Sequence, residues 1–291
     1  MNVVFATDKG YLQHLAVALA SLLEKNSGMN VYVINSDISG SDWKKLEKLF
    51  VGKDSKLIDS KIDDSRIEGL ITHSYFTKAN YYRLFIPDIV KGDRALYLDA
   101  DIVVTQSIDD LYNTEISDTF LAAVDNPEIK NRYDLEMECS AKYFNSGIML
   151  INLEYWRAHR IKEKVIEFVS RKPEVIQFVD QDGLNSVING HWLELHPKYN
   201  LHTVLLSSDY ASDPQIREAM DNPVIIHYTG LHKPWHLRDS HPYKRLYWKY
   251  LRMTPYKYSI PDDINMINIL RRIIPRSLKE SLKKYLGAKF K

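Results

Sequence analysis

Hydrophobic residues in the first sixty positions alternate between short continuous runs and longer stretches with helical spacing. Two continuous runs, over residues 3–6 and 31–34, predict buried β-strands, and the segment 56–59 (Lys-Leu-Ile-Asp) predicts a third strand. Leucines recur every three or four positions over 12–23, and apolar residues do the same over 43–50 after the capping pair Ser41-Asp42, which predicts two amphipathic helices. This order predicts an α/β fold with a mostly parallel sheet covered by helices on both faces.

Several of the predicted strands end in a side chain that can ionise or bind a metal ion. Later apolar runs predict strands over 95–98, 120–124, 147–153 and 224–226. After the strand over 147–153, apolar residues at helical spacing predict a helix over 156–170. Four of the strands lead into a polar residue, namely Asp8, Asp99, Asp125 and His227. Because ligands bind beyond the carboxyl ends of the strands in such sheets, this pattern predicts a binding site there.

The segment Asp99-Ala100-Asp101 is the first candidate for metal binding. Residues i and i+2 of an extended segment point to the same side, so the two carboxylates repel each other unless a cation lies between them. Hard divalent cations prefer oxygen ligands of this kind. The alternative is a solvated turn after a strand.

A histidine turn and an acidic helix start are two further candidates. His227 opens a turn that contains Gly230 and Lys233. A neutral imidazole can complete a two-carboxylate site and favours Mn²⁺ over Mg²⁺, and a lysine supplies charge for a phosphate. The segment 180–182 (Asp-Gln-Asp) begins a predicted helix, where acidic residues often cap the N-terminus. Two carboxylates and an amide also suit a ligand with many hydroxyl groups.

Composition and charge narrow the class of protein. The 291 residues are 45% hydrophobic and 26% charged, which is typical of a globular protein, and the formal net charge is +1. That balance argues against a protein that binds nucleic acid along its length. Cys139 is the only cysteine, so an intramolecular disulfide and a multi-cysteine zinc site are excluded. With no signal-peptide pattern and no apolar run of about 18 residues, a cytoplasmic body is expected.

Six separate segments together resemble glycosyltransferase family 8. The matching segments are Val4-Phe5-Ala6-Thr7-Asp8 with Tyr11, Tyr82-Arg83-Leu84, Leu96-Tyr97-Leu98-Asp99-Ala100-Asp101, Phe144-Asn145-Ser146-Gly147 with Ile151-Asn152-Leu153 and Trp156, Asp180-Gln181-Asp182, and His227-Tyr228 with Gly230 and Lys233-Pro234-Trp235-His236. Their order and rough spacing agree from residue 3 to 236. Within the family, the chain resembles bacterial lipopolysaccharide and lipooligosaccharide galactosyl- and glucosyltransferases.

The resemblance implies the GT-A fold, which is a Rossmann-like, mostly parallel sheet flanked by helices. It also implies a retaining transfer of galactose or glucose from a UDP-sugar to a glycan or glycolipid acceptor such as lipopolysaccharide core. A divalent cation, Mn²⁺ or Mg²⁺, would be bound by Asp99, Asp101 and His227. The other implied contacts are to uridine from Ala6, Asp8 and Tyr11, to the diphosphate from Gly230 and Lys233, and to the donor sugar from Arg83, Asp99, Asn145, Asp180 and Gln181.

The resemblance places Gln181 near the anomeric carbon, where its amide oxygen would stabilise positive charge. Because glutamine is a poor nucleophile, we expect the acceptor to attack on the face from which the diphosphate leaves. A double displacement through Asp180 or Asp182 stays open. Two other functions also stay open: a self-glucosylating primer of the glycogenin type, and a nucleotide-sugar-binding module without catalysis.

The last fifty residues differ in charge from the rest of the chain. Residues 241–291 carry 13 Lys/Arg and 3 Asp/Glu, whereas residues 1–240 carry 26 and 35. Aromatic and basic residues interleave over 243–258, and apolar residues recur among eight Lys/Arg over 266–291. We predict a catalytic domain over 1–240 and a basic amphipathic helical tail over 241–291 that lies on the anionic inner surface of the cell membrane. The alternative is a helix packed on the catalytic body.

Overall fold

Ten β-strands and ten α-helices form within the residues that the computed structural model describes, which are 1–72, 76–130 and 132–273. The strands are β1 (Asn2–Ala6), β2 (Met29–Asn35), β3 (Ser55–Lys61), β4 (Arg94–Leu98), β5 (Ile102–Val104), β6 (Leu121–Asp125), β7 (Phe144–Asn152), β8 (Leu193–Glu194), β9 (Leu201–His202) and β10 (Ile225–His227). The α-helices are α1 (Leu12–Lys25), α2 (Gly40–Glu47), α3 (Ile86–Ile89), α4 (Asp109–Tyr112), α5 (Leu153–Ala158), α6 (Ile161–Arg171), α7 (Val179–Ile188), α8 (Pro214–Asp221), α9 (Lys244–Leu251) and α10 (Met266–Ile273).

The strands form one large sheet and one small sheet. The large sheet has the order β3-β2-β1-β4-β7-β6-β8, and its first four strands are parallel, which confirms the mostly parallel α/β sheet. Strand β7 runs antiparallel to both of its neighbours, β4 and β6. The small sheet has the order β5-β10-β9 and pairs β10 antiparallel to β5.

The central strands of the large sheet are apolar on both faces because each face carries a separate core. In β1, Val3 and Phe5 pack in the core that contains α1, whereas Val4 packs in the opposite core that contains α6 and α7. All nine residues of β7 are buried. All seven predicted strands are present in the structure. A strand covered on both sides, such as β4 or β7, appears in the sequence as a continuous apolar run.

Two predicted helix boundaries are wrong. Helix α2 begins at Gly40, and the side chain of Ser39, rather than Ser41, caps it by accepting a hydrogen bond from the backbone N–H of Asp42 (3.2 Å). The predicted helix over 156–170 is two helices, α5 and α6, because Arg160 between them has a left-handed backbone (φ 55°).

The beginning of the basic tail packs on the body. Helix α9 buries Tyr247, Tyr250 and Leu251 in a core that also contains Val17 and Ala20 of α1. Helix α10 is the described part of the predicted amphipathic helix over 266–291, and the rest, 274–291, lies outside the described residues. Within the described ranges, no helix combines the length and the apolar composition that crossing a bilayer requires. The membrane role of the tail stays a prediction.

Candidate active site

A cavity of about 370 Å³ opens at the edge of the large sheet where β1 and β4 end. Its lining includes every residue to which the resemblance assigned a role, namely Ala6, Asp8, Tyr11, Arg83, Asp99, Asp101, Asn145, Asp180, Gln181, His227, Gly230 and Lys233. Strand β7 contributes its first residues because it is antiparallel, so its start lies beside the carboxyl end of β4. Asp125 also ends an apolar strand, but it does not line this cavity.

Asp99, Asp101 and His227 meet although they are far apart in sequence. One ligand atom of each lies within 4.8 Å of the others. His227 Nε2 is 3.2 Å from Asp101 Oδ1 and 3.6 Å from Asp99 Oδ2. The pairing of β10 with β5 produces this approach, since His227 lies opposite Ile102, the residue after Asp101. Two carboxylates and an imidazole are ligands that divalent transition metals accept, so these residues form a possible metal site.

Gly147 leaves the space that this group of side chains occupies. A Cβ atom at residue 147 would lie 2.2 Å from His227 Cε1 and 2.7 Å from Asp99 Oδ2, which is closer than van der Waals contact permits. The backbone is held in place, because the carbonyl of Gly147 accepts a hydrogen bond from the N–H of Asp99 (2.8 Å). Only glycine at this position is compatible with the observed arrangement of Asp99 and His227.

Lys233 also contacts the possible metal site. Its Nζ lies 2.5 Å from Asp101 Oδ2 and donates a hydrogen bond to the carbonyl of Tyr228 (2.6 Å). Burial favours a higher pKa for Asp101, but Lys233 and His227 outweigh burial and hold that pKa well below its usual range. The loop before Lys233 turns at Gly230, whose φ of +86° favours glycine.

Arg83 is buried and binds two carboxylates at once. Its Nη2 donates to Asp99 Oδ1 (2.9 Å), and its Nε lies 3.1 Å from Asp180 Oδ2. Its Nη1 donates to the carbonyl oxygen of Ser146 (2.8 Å), and the guanidinium lies over the Tyr97 ring at 4.4 Å. Burial raises the pKa of Asp180 to about 7, although Arg83 opposes that shift. Arg83 therefore offsets only part of the cost of burying Asp180, and it also pairs with the partly buried Asp99 beside the cavity.

Gln181 has a fixed amide orientation. Its Oε1 accepts a hydrogen bond from the N–H of Ser146 (3.0 Å), and its Nε2 donates to the hydroxyl of Tyr143 (3.2 Å). The Tyr143 hydroxyl in turn donates to Asp182 Oδ1 (2.5 Å). Because the hydroxyl hydrogen is used by Asp182, Tyr143 presents only lone pairs to Gln181. Ser146 Oγ lies 3.5 Å from the same oxygen and 3.3 Å from Asp180 Oδ2. When its single hydrogen goes to the nearer Asp180, Gln181 Oε1 keeps a second lone pair for a ligand.

Asp182 is fully buried, and four donors occupy its carboxylate. Oδ1 accepts from Arg132 Nη1 (3.0 Å) and Tyr143, and Oδ2 accepts from the backbone N–H groups of Gln177 (2.6 Å) and Phe178 (2.9 Å). Asp182 does not line the cavity. Its position is therefore incompatible with a nucleophilic role, and its contacts stabilise the start of α7 and the loop that carries Arg132.

We expect the Asp182→Asn variant to lose about 3 kcal/mol of unfolding free energy. An amide keeps only one acceptor oxygen, points an NH₂ group at existing donors, and removes a buried charge that Arg132 contacts. Urea unfolding measures the loss. The control is Asp134→Asn, because Asp134 contacts the same Arg132 but is 39% exposed, and its loss should cost less than about 1 kcal/mol. Equal stability of the two variants would contradict the buried role of Asp182.

The structure adds site residues to which the sequence assigned no role. Ser146, Asn200 and Tyr143 hold other site residues through hydrogen bonds, and Thr77 Oγ1 donates to Asp8 Oδ2 (2.9 Å). Thr77 is visible in the sequence as a capping residue, because its side chain and that of Asn80 form a capping box. Its contact with Asp8, 69 positions away, has no local signal in the sequence.

A comparison with protein families decides the class. The sequence model of glycosyl transferase family 8 matches residues 2–239. The chain belongs to this family. This family 8 glycosyltransferase has the mixed α/β GT-A fold of solved relatives such as LgtC.

Individual relatives of this family 8 glycosyltransferase cover nearly the whole chain. General stress protein A of Bacillus subtilis is 34% identical over 268 residues, which is 87% of this chain and 94% of the relative. The lipopolysaccharide 1,2-glucosyltransferase of Escherichia coli is 27% identical over 92% of this chain and 82% of its own length. The galactosyltransferase LgtC, solved with donor and acceptor sugar analogues, superimposes with a TM-score of 0.77, at 26% identity, over 90% of this chain and 98% of LgtC.

Proposed function

We propose that this family 8 glycosyltransferase transfers galactose or glucose from a UDP-sugar, with retention of configuration, to a bacterial surface glycan such as lipopolysaccharide core. Mn²⁺ is the proposed cation, with Mg²⁺ as the alternative, and Asp99, Asp101 and His227 would bind it. One observation carries the proposal: the possible metal site and the buried pair Arg83–Asp180 face the same cavity. The similarity to sugar-transferring relatives supports it.

The arrangement suits departure of a charged diphosphate from a sugar. When bound, the cation would supply positive charge beside the leaving diphosphate. Lys233 would exchange its contact with Asp101 for a phosphate oxygen. Gln181 would direct its remaining lone pair at the positive charge that develops on the sugar. The acceptor hydroxyl would attack on the leaving-group face, its proton passing to the departing phosphate oxygen.

Asp180 and Arg83 would orient the donor sugar. Asp180 is almost fully buried and paired with Arg83, which also holds Asp99, so the sugar-binding and metal-binding carboxylates share one guanidinium. A carboxylate constrained in this way would accept hydrogen bonds from sugar hydroxyls. Its ion pair reduces its nucleophilicity, which supports same-face attack over double displacement.

Release of UDP tests the proposal. Purified protein is incubated with UDP-galactose or UDP-glucose and Mn²⁺, and slow hydrolysis is expected with one of them, with none in EDTA. Binding of both sugars without hydrolysis would favour the non-catalytic module. A mass increase of the protein by hexose units would favour the self-glucosylating primer.

We also propose that the tail attaches this protein to an anionic membrane surface from the cytoplasmic side. The support is the net positive charge of 241–291 and a run of exposed apolar side chains that begins after α9. The most exposed of these are Tyr258, Ile260, Met266 and Ile267.

A truncation after residue 265 should abolish flotation with vesicles that contain phosphatidylglycerol. It removes eight Lys/Arg but keeps α9 and Asp263, which accepts a hydrogen bond from the N–H of Arg238 (3.3 Å). The folded body is therefore preserved, unlike in a truncation at residue 240. Vesicles of phosphatidylcholine alone are the control. Equal flotation of both chains would show that 266–291 is not the attachment, and no flotation of the full chain would refute the attachment altogether.

A further inference from the structure

A chain of hydrogen bonds connects the donor-sugar side of the cavity to the possible metal site. The backbone N–H of Gly147 donates to Asn145 Oδ1 (3.1 Å), and Asn200 Nδ2 donates to the same oxygen (2.9 Å). Asn200 Oδ1 lies 3.0 Å from His227 Nδ1. Asn145 and His227 line the cavity, and Asn200, which is fully buried, lies between them.

The backbone N–H of Gly147 determines which atoms donate and which accept along this series of hydrogen bonds. A backbone N–H can only donate, so the Asn145 atom that it meets must be the oxygen. Asn200 must then present its NH₂ group to Asn145 and its oxygen to His227. An amide oxygen can only accept, so His227 Nδ1 carries a hydrogen. The lone pair available for metal binding is therefore on Nε2, the atom that faces Asp99 and Asp101.

The fold holds Asn200 in place for this contact. It lies just before β9, and β9 pairs with β10 so that His202 is opposite His227. The backbone N–H of Asn200 donates to the carbonyl of Pro197 (3.1 Å), and its carbonyl accepts from the N–H of His202 (2.8 Å). Both ends of the side-chain amide are used as well. The backbone N–H, the backbone carbonyl and both ends of the side-chain amide of Asn200 are therefore all hydrogen-bonded, which fixes the position of this residue.

We propose that Asn200 is a positioning residue that orients His227 for metal binding and couples the metal site to Asn145 on the donor-sugar side. The inference rests on the proposed metal site. Hydrogen-bond partners of metal-bound histidines orient the ring and set which nitrogen is free, and their loss commonly weakens metal binding 10- to 100-fold. Asn200 differs from an ordinary histidine partner in one respect: its Nδ2 also donates to Asn145, which lies on the donor-sugar side of the cavity.

Two substitutions separate the contacts. Asn200→Ala removes both, so Mn²⁺ binding should weaken about 10- to 100-fold, measured by electron paramagnetic resonance of free Mn²⁺ without nucleotide. Asn200→Asp keeps an acceptor for His227 but has no donor for Asn145. It should retain Mn²⁺ affinity within about threefold of the parent protein while KM for the UDP-sugar rises about tenfold.

A second readout needs neither metal nor substrate. The Nδ1–H signal of His227 in ¹H–¹⁵N spectra of histidine-labelled protein should persist in Asn200→Asp and disappear in Asn200→Ala. The control is Asn35→Ala, because Asn35 is equally buried and bonded to Asp59 (2.8 Å) but lies outside the cavity lining. It should lower stability without changing Mn²⁺ affinity.

The outcomes distinguish this role from the proposed function. If Asn200→Ala binds Mn²⁺ as tightly as the parent protein, or keeps the His227 ring N–H signal, the positioning role is overturned and the metal site is not. If Asn200→Asp loses Mn²⁺ affinity as severely as Asn200→Ala, the contact with His227 does not act separately from the contact with Asn145, and that part of the proposal is overturned. If the parent protein binds no Mn²⁺, the metal site fails and this role fails with it.

Discussion

The Asp99→Asn variant is expected to lose about 1000-fold of its metal-dependent turnover, equivalent to about 4 kcal/mol of activation free energy, while remaining folded. Asp99 Oδ1 accepts hydrogen bonds from Arg83 Nη2 (2.9 Å) and the Tyr97 hydroxyl (2.6 Å), whereas Oδ2 faces His227. An amide satisfies the two donors only with its oxygen in the Oδ1 position. Its NH₂ group then points positive hydrogens at the place where the cation would bind.

The matched control is Asp125→Asn. Asp125 also ends an apolar strand of the large sheet, yet it lies outside the cavity lining. UDP release and Mn²⁺ titration should be near normal in Asp125→Asn and lost in Asp99→Asn, with thermal unfolding temperatures within a few degrees of the parent protein. Normal Mn²⁺-dependent turnover in Asp99→Asn would remove Asp99 from the metal site.

The Gly147→Ala variant should weaken Mn²⁺ binding by about 100-fold or more, with turnover falling in parallel. The added methyl group would occupy space already filled by the His227 ring and Asp99 Oδ2. The register of β7 with β6 shifts across residues 146–148, but both backbone polar groups of Gly147 are hydrogen-bonded: its carbonyl accepts from the N–H of Asp99 (2.8 Å), and its N–H donates to Asn145 Oδ1 (3.1 Å). The two ligand side chains must therefore rotate out of their present positions. Overpacking should also cost about 1–3 kcal/mol of stability.

Gly40→Ala is the control for the added methyl group. No atom lies within 4 Å of a Cβ at residue 40, which is the first residue of α2 and far in sequence from the site. Its Mn²⁺ affinity should equal that of the parent protein. Tight Mn²⁺ binding by Gly147→Ala would show that His227 and Asp99 need not lie where the structure places them.

The large sheet was predictable where its strands are long and covered on both faces. Strands β1 and β4 appear as apolar runs because both of their faces are buried, and a run of that kind needs no partner to be recognised. Strand β5 has three residues and β9 has two, which is too short for any periodic signal. These short strands nevertheless place His227 and Asn200 at the site.

The sequence pattern of the tail, residues 241–291, likewise did not determine where its apolar side chains pack. Its alternation of aromatic and basic residues is compatible with a membrane surface and with packing on the body. Contacts between α9 and α1 show that Tyr247 and Tyr250 belong to a core. The composition of a segment gives its number of apolar side chains, whereas their burial depends on the residues of other elements that they contact.

The amino-acid sequence alone was sufficient for the alternating fold, the strand-end carboxylates and the motifs of family 8, because these are local patterns that one stretch of chain expresses by itself. The tertiary structure alone decided the antiparallel direction of β7, the saturation of Asp182, the space at Gly147 and the orientation of His227 by Asn200. Each of these depends on atoms brought together from distant positions. Steric fit and hydrogen-bond direction act over a few ångströms, and the spacing of residues along a chain does not record them.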